Sequence, residues 1–514
     1  MLLAALTGFG PVFGFLLSTG RQPQPGNRAN GCHEKDGLLP PPFHALTLTV
    51  ARPNLEFMKI NSVVSKAKKL IAVMLLAVIA GRSALADYPI ASHRYLADPA
   101  SLVAKDRVYI YCSNDDESPV GGSYNIPNVI CVSSSDMKNW TDHGSVFRAA
   151  DSTTWAKKTW APAAIERDGR FFLYFGNGGA NIGVATAPTP IGPFTDPVGK
   201  ALITHGTPGV QPATNMWLFD PGVFIDDDGQ AYLYFGGNGD HNVRVVKLKR
   251  DMISLDGEVM KMYATNFFEA AWVDKRNGVY YFSYSTTPRA GMRFDYMTSD
   301  NPTNGFTYRG IVSDQPPINN NNHHAANFEF KGRWYHVYHN RIVAKQAGIP
   351  TGFRRNLAIE EFSYNPDGSI QKVAFTTNGV AQVGHLDPYV RVEGETFDAQ
   401  SGVETEPCSE GGMNLAEISN GDWVRVVGVD FGAKGATRFN ASVASAEQGG
   451  SIELRLGSPE GKLIGTCKVE STGGWQAWKA VSCEVTDAAG VQDLYLKFIG
   501  GDKPLLNLDN WKFE

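Results

Sequence analysis

Residues Thr265 to Thr287 read TNFFEAAWVDKRNGVYYFSYSTT: a lone carboxylate, Glu269, then an apolar strand, an Asn277-Gly278 turn and an aromatic strand. The same plan recurs along the chain. Asp98 precedes PASLVAKDRVYIY, Ala161 precedes PAAIERDGRFFLY, Asp220 precedes PGVFIDDDGQAYLY, and the pair His323-His324 precedes AANFEFKGRWYHV. From the first residue of each copy to the aromatic of its second strand the separation is 11 residues, except in the Asp220 copy, where it is 12. A period held this closely identifies a repeated supersecondary unit.

Five copies, each supplying about four short strands at a pitch of roughly 50 to 60 residues, match the blades of a five-bladed β-propeller. In that architecture the first strands line a central channel, so equivalent positions converge on one face. Asp98, Asp220 and Glu269 should therefore meet in one pocket. Like charges brought together in a partly desolvated site raise one another's pKa, and paired carboxylates serve as acid and base on a sugar acetal. Taken alone, Asp98 and Asp220 also fit a structural reading, because Asp-Pro opens turns. Glu269 lies between Phe267-Phe268 and Ala270-Ala271-Trp272, where an unpaired carboxylate is costly without a role.

The chain has 514 residues, too many for one ordinary core, so at least two domains are expected. Its 54 glycines and 11% aromatic content, with many short apolar runs between turn signals, point to an all-β protein. A net charge of −5 without a basic stripe argues against a nucleic-acid partner. Residues 1–86 read as a leader and secretion signal, the signal proper spanning 58–86: Lys59, Lys66, Lys68 and Lys69, the apolar run Leu70 to Gly81, and the small-residue site Ala84-Leu85-Ala86. Cleavage would make Asp87 the first residue of a secreted or periplasmic protein, with no membrane attachment. Five cysteines follow the signal. Cys467 with Cys483 and Cys112 with Cys131 are candidate disulfides that leave Cys408 unpaired, and buried thiols throughout are the equal alternative.

The motifs ADPA at Asp98, TWAP at Thr159 to Pro162, LFDPGVFIDDDGQAYLYFGG, FFEAAW, NNHHAANFEFKGRWYHVYHN and GFRRN at Gly352 to Asn356 stand in one order over residues 87–388. In that order they resemble glycoside hydrolase family 43, propeller enzymes that invert configuration at xylosides and arabinofuranosides. The resemblance implies Asp98 as general base, Glu269 as general acid and Asp220 as the carboxylate that keeps Glu269 protonated. It further implies Arg354 as a substrate-contacting arginine, Trp160 as a sugar platform, and His323, with His324 as runner-up, as the axial histidine of a calcium ion or water network in the channel.

After Gly384 the texture changes to a glycine-rich β segment, residues 389–514, marked by NGDWVRVVGVDFG, STGGWQAW and LLNLDNWKF. This segment resembles carbohydrate-binding module family 6, a β-sandwich (jelly-roll). By that likeness Trp423 and Trp475 sandwich a sugar ring, Asn507 hydrogen-bonds it, Trp478 and Trp511 are core, and Glu393, Glu395 and Asp509 bind a structural calcium. The implied whole is a monomeric secreted hydrolase acting on plant cell-wall polysaccharide, arabinoxylan, xylan or arabinan. Cut near Leu386, it should still act on small glycosides. Two other readings compete. A retaining glycosidase of the invertase kind carries its acid in a Glu-Cys pair and its middle Asp after Arg, where this chain has Glu269-Ala270 and Phe219-Asp220. A non-catalytic sugar-binding propeller has no need to crowd three carboxylates.

Overall fold

The computed structural model describes residues 89–115, 123–319 and 321–514, so the leader and signal lie outside the described residues. The chain divides into Met1–Arg82 and Ser83–Glu514, and all that follows belongs to the second unit. The described residues are nearly all β, with short helices at Ala149–Ser152 and Ile342–Gln346. None of their helices is long and apolar enough to cross a membrane.

Each repeat copy opens one antiparallel sheet, with first strands Leu96–Ala104, Trp160–Arg167, Gly222–Ile225, Phe267–Arg276 and Ala325–Phe330. In four copies a two-residue turn returns the chain: Lys105-Asp106, Asp168-Gly169, Asn277-Gly278 and Lys331-Gly332, every one of these residues at positive φ. Two successive left-handed residues define the type I′ turn, whose twist matches that of the flanking strands. The third sheet instead uses the longer loop around Asp226–Gln230, with only Gly229 left-handed. That longer loop accounts for the separation of 12 in the Asp220 copy.

The five first strands touch in cyclic order, the strand at Leu96 lying against both the second sheet and the fifth. Apolar clusters fill the space between successive sheets. Tyr111 and Cys131 meet Leu173 and Phe175 between the first two, and Ile110 and Cys112 meet Phe328 and Val337 between the first and the fifth. Approach is closest at Gly222, where a Cβ would stand 2.2 Å from the carbonyl oxygen of Ala271. Any larger residue would force the third and fourth sheets apart.

All five described cysteines are free thiols. Cys112 and Cys131 cannot pair, because they sit in clusters on opposite faces of the first sheet. Cys467 and Cys483 lie side by side but unbonded.

The C-terminal residues form two sheets facing across one core. One holds Glu404–Pro407, Met413–Ala416, Asn507–Phe513, Ala436–Ser445 and Gly474–Ala488, and the other Ala399–Ser401, Trp423–Asp430, Val491–Gly500, Gly450–Leu456 and Lys462–Val469. Trp511 is in this core. Trp478 is not; it is partly exposed, and its Nε1 donates to Ser409 Oγ at 3.1 Å.

The two β regions are joined by more than a linker. Thr396–Phe397 pairs with Trp140 and Thr141 and becomes the fifth strand of the first sheet. Asn139 exchanges two hydrogen bonds of 2.8 Å with the Val427 backbone. The buried Asp142 carboxylate meets His93 at 3.0 Å, Arg94 at 2.5 Å and Thr405 at 2.7 Å. A chain cut after Leu386 therefore loses a sheet edge and leaves Asn139 without its partner. The cut should cost on the order of 3 kcal/mol or more. Thermal unfolding should show a lowered midpoint for the truncated chain and one cooperative transition for the full one.

Candidate active site

The three expected carboxylates share one pocket of about 240 Å³, lined also by Tyr124, Trp160, Trp217, Phe268 and Arg355. Local backbone geometry aims them there. Asp98, Ala161 and Asp220 all adopt left-handed φ, at 49°, 39° and 48°, and in the fourth copy the left-handed residue is Ala270, at 62°. Register breaks accompany the turn at Ala97/Ala100, Trp160/Ala163 and Glu269/Trp272. Such bulges re-aim a side chain at the cost of ladder pairing and of roughly 1–3 kcal/mol of backbone strain each. Recurrence at the same repeat position explains how residues far apart in sequence come to one point.

Asp98, Asp220 and Glu269 are all buried. Arg355, itself buried, spans two carboxylates: Nη1 donates to Asp98 Oδ1 at 2.6 Å, while Nε and Nη2 donate to Asp115 at 2.7 and 3.0 Å. Its guanidinium also lies 4.1 Å from the Tyr124 ring centroid. Nδ1 of His324 stands 3.6 Å from both Asp98 and Asp220. Nδ1 of His339 accepts the Asp98 backbone N–H at 3.2 Å.

Burial, then the negative charges of Asp220 and Asp98, push the Glu269 carboxyl well above its usual range, against smaller opposing effects of Arg355 and Asn322. Burial and Asp98 raise Asp220 in the same way, partly offset by the Ala270 N–H, 3.2 Å from Oδ2. Burial lowers His324 to about 4, so its imidazole is neutral at pH 7. Glu269 Oε1 is buried without a hydrogen-bond partner among the described residues. The site thus holds two carboxyls, Glu269 and Asp220, biased toward their protonated forms and a third, Asp98, gripped by a fixed cation.

The model of glycosyl hydrolases family 43 matches residues 86–370. The chain belongs to that family. It is therefore a glycoside hydrolase, and residues 393–514 match carbohydrate-binding module family 6. It is 44% identical over 474 residues to an arabinoxylan arabinofuranohydrolase of Paenibacillus polymyxa, covering 83% of this chain and 74% of that one. Identity to an arabinoxylan arabinofuranohydrolase of Bacillus subtilis is 41%, over 86% of this chain and 98% of the relative. Among solved structures, the Bacillus subtilis arabinoxylan arabinofuranohydrolase in complex with cellotetraose superposes with a TM-score of 0.77, covering 82% of this chain and 96% of that chain. An α-L-arabinofuranosidase from Clostridium thermocellum, 54% identical, covers 57% of this chain and 99% of its own, with a TM-score of 0.51.

Several expected site residues stand elsewhere. Arg354 turns away from the carboxylates, donating to the Asp115 carbonyl and lying 5.4 Å from the Tyr95 ring centroid, and its neighbour Arg355 holds the site. Of the two histidines, His324 faces the carboxylates, and His323 packs against Phe294 and His336 at 5.5 and 6.2 Å between centroids. Both ring nitrogens of His323 are buried without a hydrogen-bond partner among the described residues. Trp160 does line the pocket, with Lys158 Nζ 4.9 Å from its ring centroid.

In the sandwich, Trp475 and Asn507 share a small cavity of about 140 Å³ with Glu406, and the Asn507 Nδ2 donates to Glu406 at 2.7 Å and to the Trp475 carbonyl at 2.9 Å. Trp423 is not there; it belongs to the other sheet, its ring 5.4 Å from that of Tyr495. Of the expected calcium ligands, Asp509 and Glu395 are buried and Glu395 Oε2 has no partner, an oxygen-only set that suits calcium. Arg391 lies between Glu393 and Asp509, at 2.8 and 3.3 Å. Among the described residues no three His, Cys, Asp or Glu are gathered as a metal site.

Sequence reading missed Asp115, Tyr124, Trp217, Asn322 and His339. Only the doubled arginine of GFRRN carried a usable signal, and it left open which of the two to choose. Replacing Arg355 by Met should destabilise the fold by about 3–5 kcal/mol, because Asp98 and Asp115 would be left buried without their countercharge. Adding Asp115→Asn to that variant should restore part of the loss. Denaturant midpoints of the two variants against the native chain measure both effects.

Proposed function

We propose that the protein is an inverting hydrolase of arabinoxylan or arabinan that releases terminal α-L-arabinofuranosyl residues, β-D-xylosyl residues, or both. The observation that carries this reading is the difference between the carboxyls: Glu269 is pushed toward its protonated form by burial and then by its anionic neighbours, while Asp98 is paired with Arg355 at 2.6 Å. Glu269 donates its proton to the leaving glycosidic oxygen as the bond to the anomeric carbon breaks. Asp98 accepts a proton from the water that attacks the opposite face. Asp220 supplies the negative charge that keeps Glu269 protonated. A cavity of about 240 Å³ is smaller than the roughly 300–1,000 Å³ that holds a drug-sized ligand, which favours removal of single sugars over cleavage within a chain. The names of the relatives support arabinoxylan as the polymer.

We read the five sheets as the blades of a five-bladed propeller, on the strength of the cyclic contact of their first strands and the apolar cluster between each neighbouring pair. The signal at 58–86 supports secretion. The Trp475–Asn507 cavity would hold polysaccharide, and Glu393, Glu395 and Asp509 would hold a structural calcium in the sandwich. Chelation should then lower the thermal midpoint of the full chain and added calcium should raise it, with small-substrate activity at 25 °C unchanged.

Product analysis on arabinoxylan, with the anomer followed by NMR from the first turnovers, tests the reaction: the inverted anomer appears first, and a retained one would favour the invertase-like mechanism. Glu269→Gln should abolish cleavage of unactivated glycosides but spare aryl glycosides with good leaving groups, which need little acid assistance. Asp220→Asn removes a neighbouring anion and so lowers the Glu269 pKa. The acid form is then lost at lower pH, and the alkaline limb of kcat/KM should move toward neutrality. An unmoved limb would count against Asp220 in this role.

A further inference from the structure

Arg341 carries a cost that the assigned chemistry does not explain. It follows the strand Arg333–Asn340 of the fifth sheet, is fully buried, and forms no ion pair among the described residues. Its Nε and Nη1 are buried without a hydrogen-bond partner among those residues. Burial holds its pKa below the ordinary arginine value and the nearby Arg355 charge adds to that, while Tyr124 and Asp115 oppose it. A guanidinium left in this state is expensive. Folds keep such groups where function needs them.

What Arg341 touches is the wall of the catalytic pocket. Its Nη2 donates to the Tyr124 hydroxyl at 3.0 Å, to Asn322 Oδ1 at 3.1 Å and to Asn321 Oδ1. The Tyr124 hydroxyl faces the same two oxygens, at 3.0 Å for Asn321 and 3.4 Å for Asn322. All three residues line the pocket with Glu269.

A guanidinium has donors and no acceptor, so an amide that meets it must present its oxygen, and the amide nitrogen then points the other way. For Asn321 that nitrogen faces the Gly352 carbonyl at 3.5 Å. For Asn322 it faces Glu269: burial, Asp220 and Asp98 raise that carboxyl, and the Asn322 hydrogen bond is among the smaller effects that lower it. Turned over, the same amide would offer Glu269 its oxygen and draw the acid's proton to itself.

We propose that Arg341 is a positioning residue for the acid step. It locks the Asn322 amide with its nitrogen toward Glu269, so that Glu269 Oε1, which has no hydrogen-bond partner among the described residues, is left to carry the proton to the leaving oxygen. The proposal rests on the assigned acid role of Glu269 and adds a residue that acts on it only through Asn322.

The test compares the full chain with Arg341→Met, Asn322→Ala and the double variant on arabinosylated xylo-oligosaccharides and on an aryl arabinofuranoside with a good leaving group. Arg341→Met should lose roughly ten- to hundredfold in kcat on the oligosaccharides, with KM little changed. Its loss on the aryl substrate should be smaller, because that leaving group needs little acid assistance. The alkaline limb of kcat should move to higher pH, since the Glu269 carboxylate loses a donor. Asp98, Asp220 and Arg355, which also act on Glu269, are the same in every variant. The double variant should match Asn322→Ala alone, and Arg341→Lys, still charged and still donor-only, should recover part of the rate. Should Arg341→Met not fold, Arg341→Gln takes its place under the same criteria. Equal losses on both substrates, an unmoved limb, or additive effects in the double variant would overturn the proposal. If the native chain cleaves none of these substrates, the assigned reaction fails. The positioning is then judged by infrared pH titration of the Glu269 carboxyl, identified by its loss in Glu269→Gln: a titration moved to higher pH by Arg341→Met, but not when Asn322→Ala is already present, upholds it, and an unmoved one rejects it.

Discussion

One guanidinium balances the charge of this site. Arg355 is buried between Asp98 and Asp115, bonded to both, with two further buried carboxyls, Asp220 and Glu269, close enough to feel Asp98. Four carboxyls cannot all be ionised cheaply around one cation at low dielectric, and burial raises even Asp115, which Arg355 grips. Glu269 and Asp220 are both raised well above their usual range. Neutral His324 between Asp98 and Asp220 adds a polar contact without adding a second full charge.

Backbone geometry carries as much of the arrangement as charge does. The left-handed residue at the head of the first strand recurs in four copies, in three of them at the residue that opens the repeat. In the second copy that residue is Ala161, which has no functional group to place. The bulge is therefore a property of the repeat, and it aims a carboxylate into the pocket where an acidic residue occupies the position. The fourth copy displaces the bulge by one residue, to Ala270, whose N–H then points at Asp220. A single backbone amide thus links the strand of Glu269 to the Asp220 carboxylate.

The sandwich is attached as part of the catalytic unit. Thr396–Phe397 closes the open edge of the first sheet, and edges of that kind invite pairing with other chains when left bare. Asp142 gathers His93, Arg94 and Thr405 from both sides of the junction. Such a joint ties the sheet that carries Trp475 and Asn507 to the first sheet of the repeat region.

The sequence by itself determined the repeat, the tight turns and the convergence of Asp98, Asp220 and Glu269, because these depend on local propensity and on a period that survives in one dimension. Even the irregular spacing at Asp220 was a true signal, of a longer loop. Tertiary structure alone decided between neighbours: Arg355 over Arg354, His324 over His323, opposite faces for Cys112 and Cys131, separate sheets for Trp423 and Trp475. For the cysteines the cause is the two-residue period of extended chain: Cys131 stands opposite Tyr111, one position from Cys112, and so faces the other way. Composition does not record that shift, and only the packing of sheet against sheet fixes which face looks into the site.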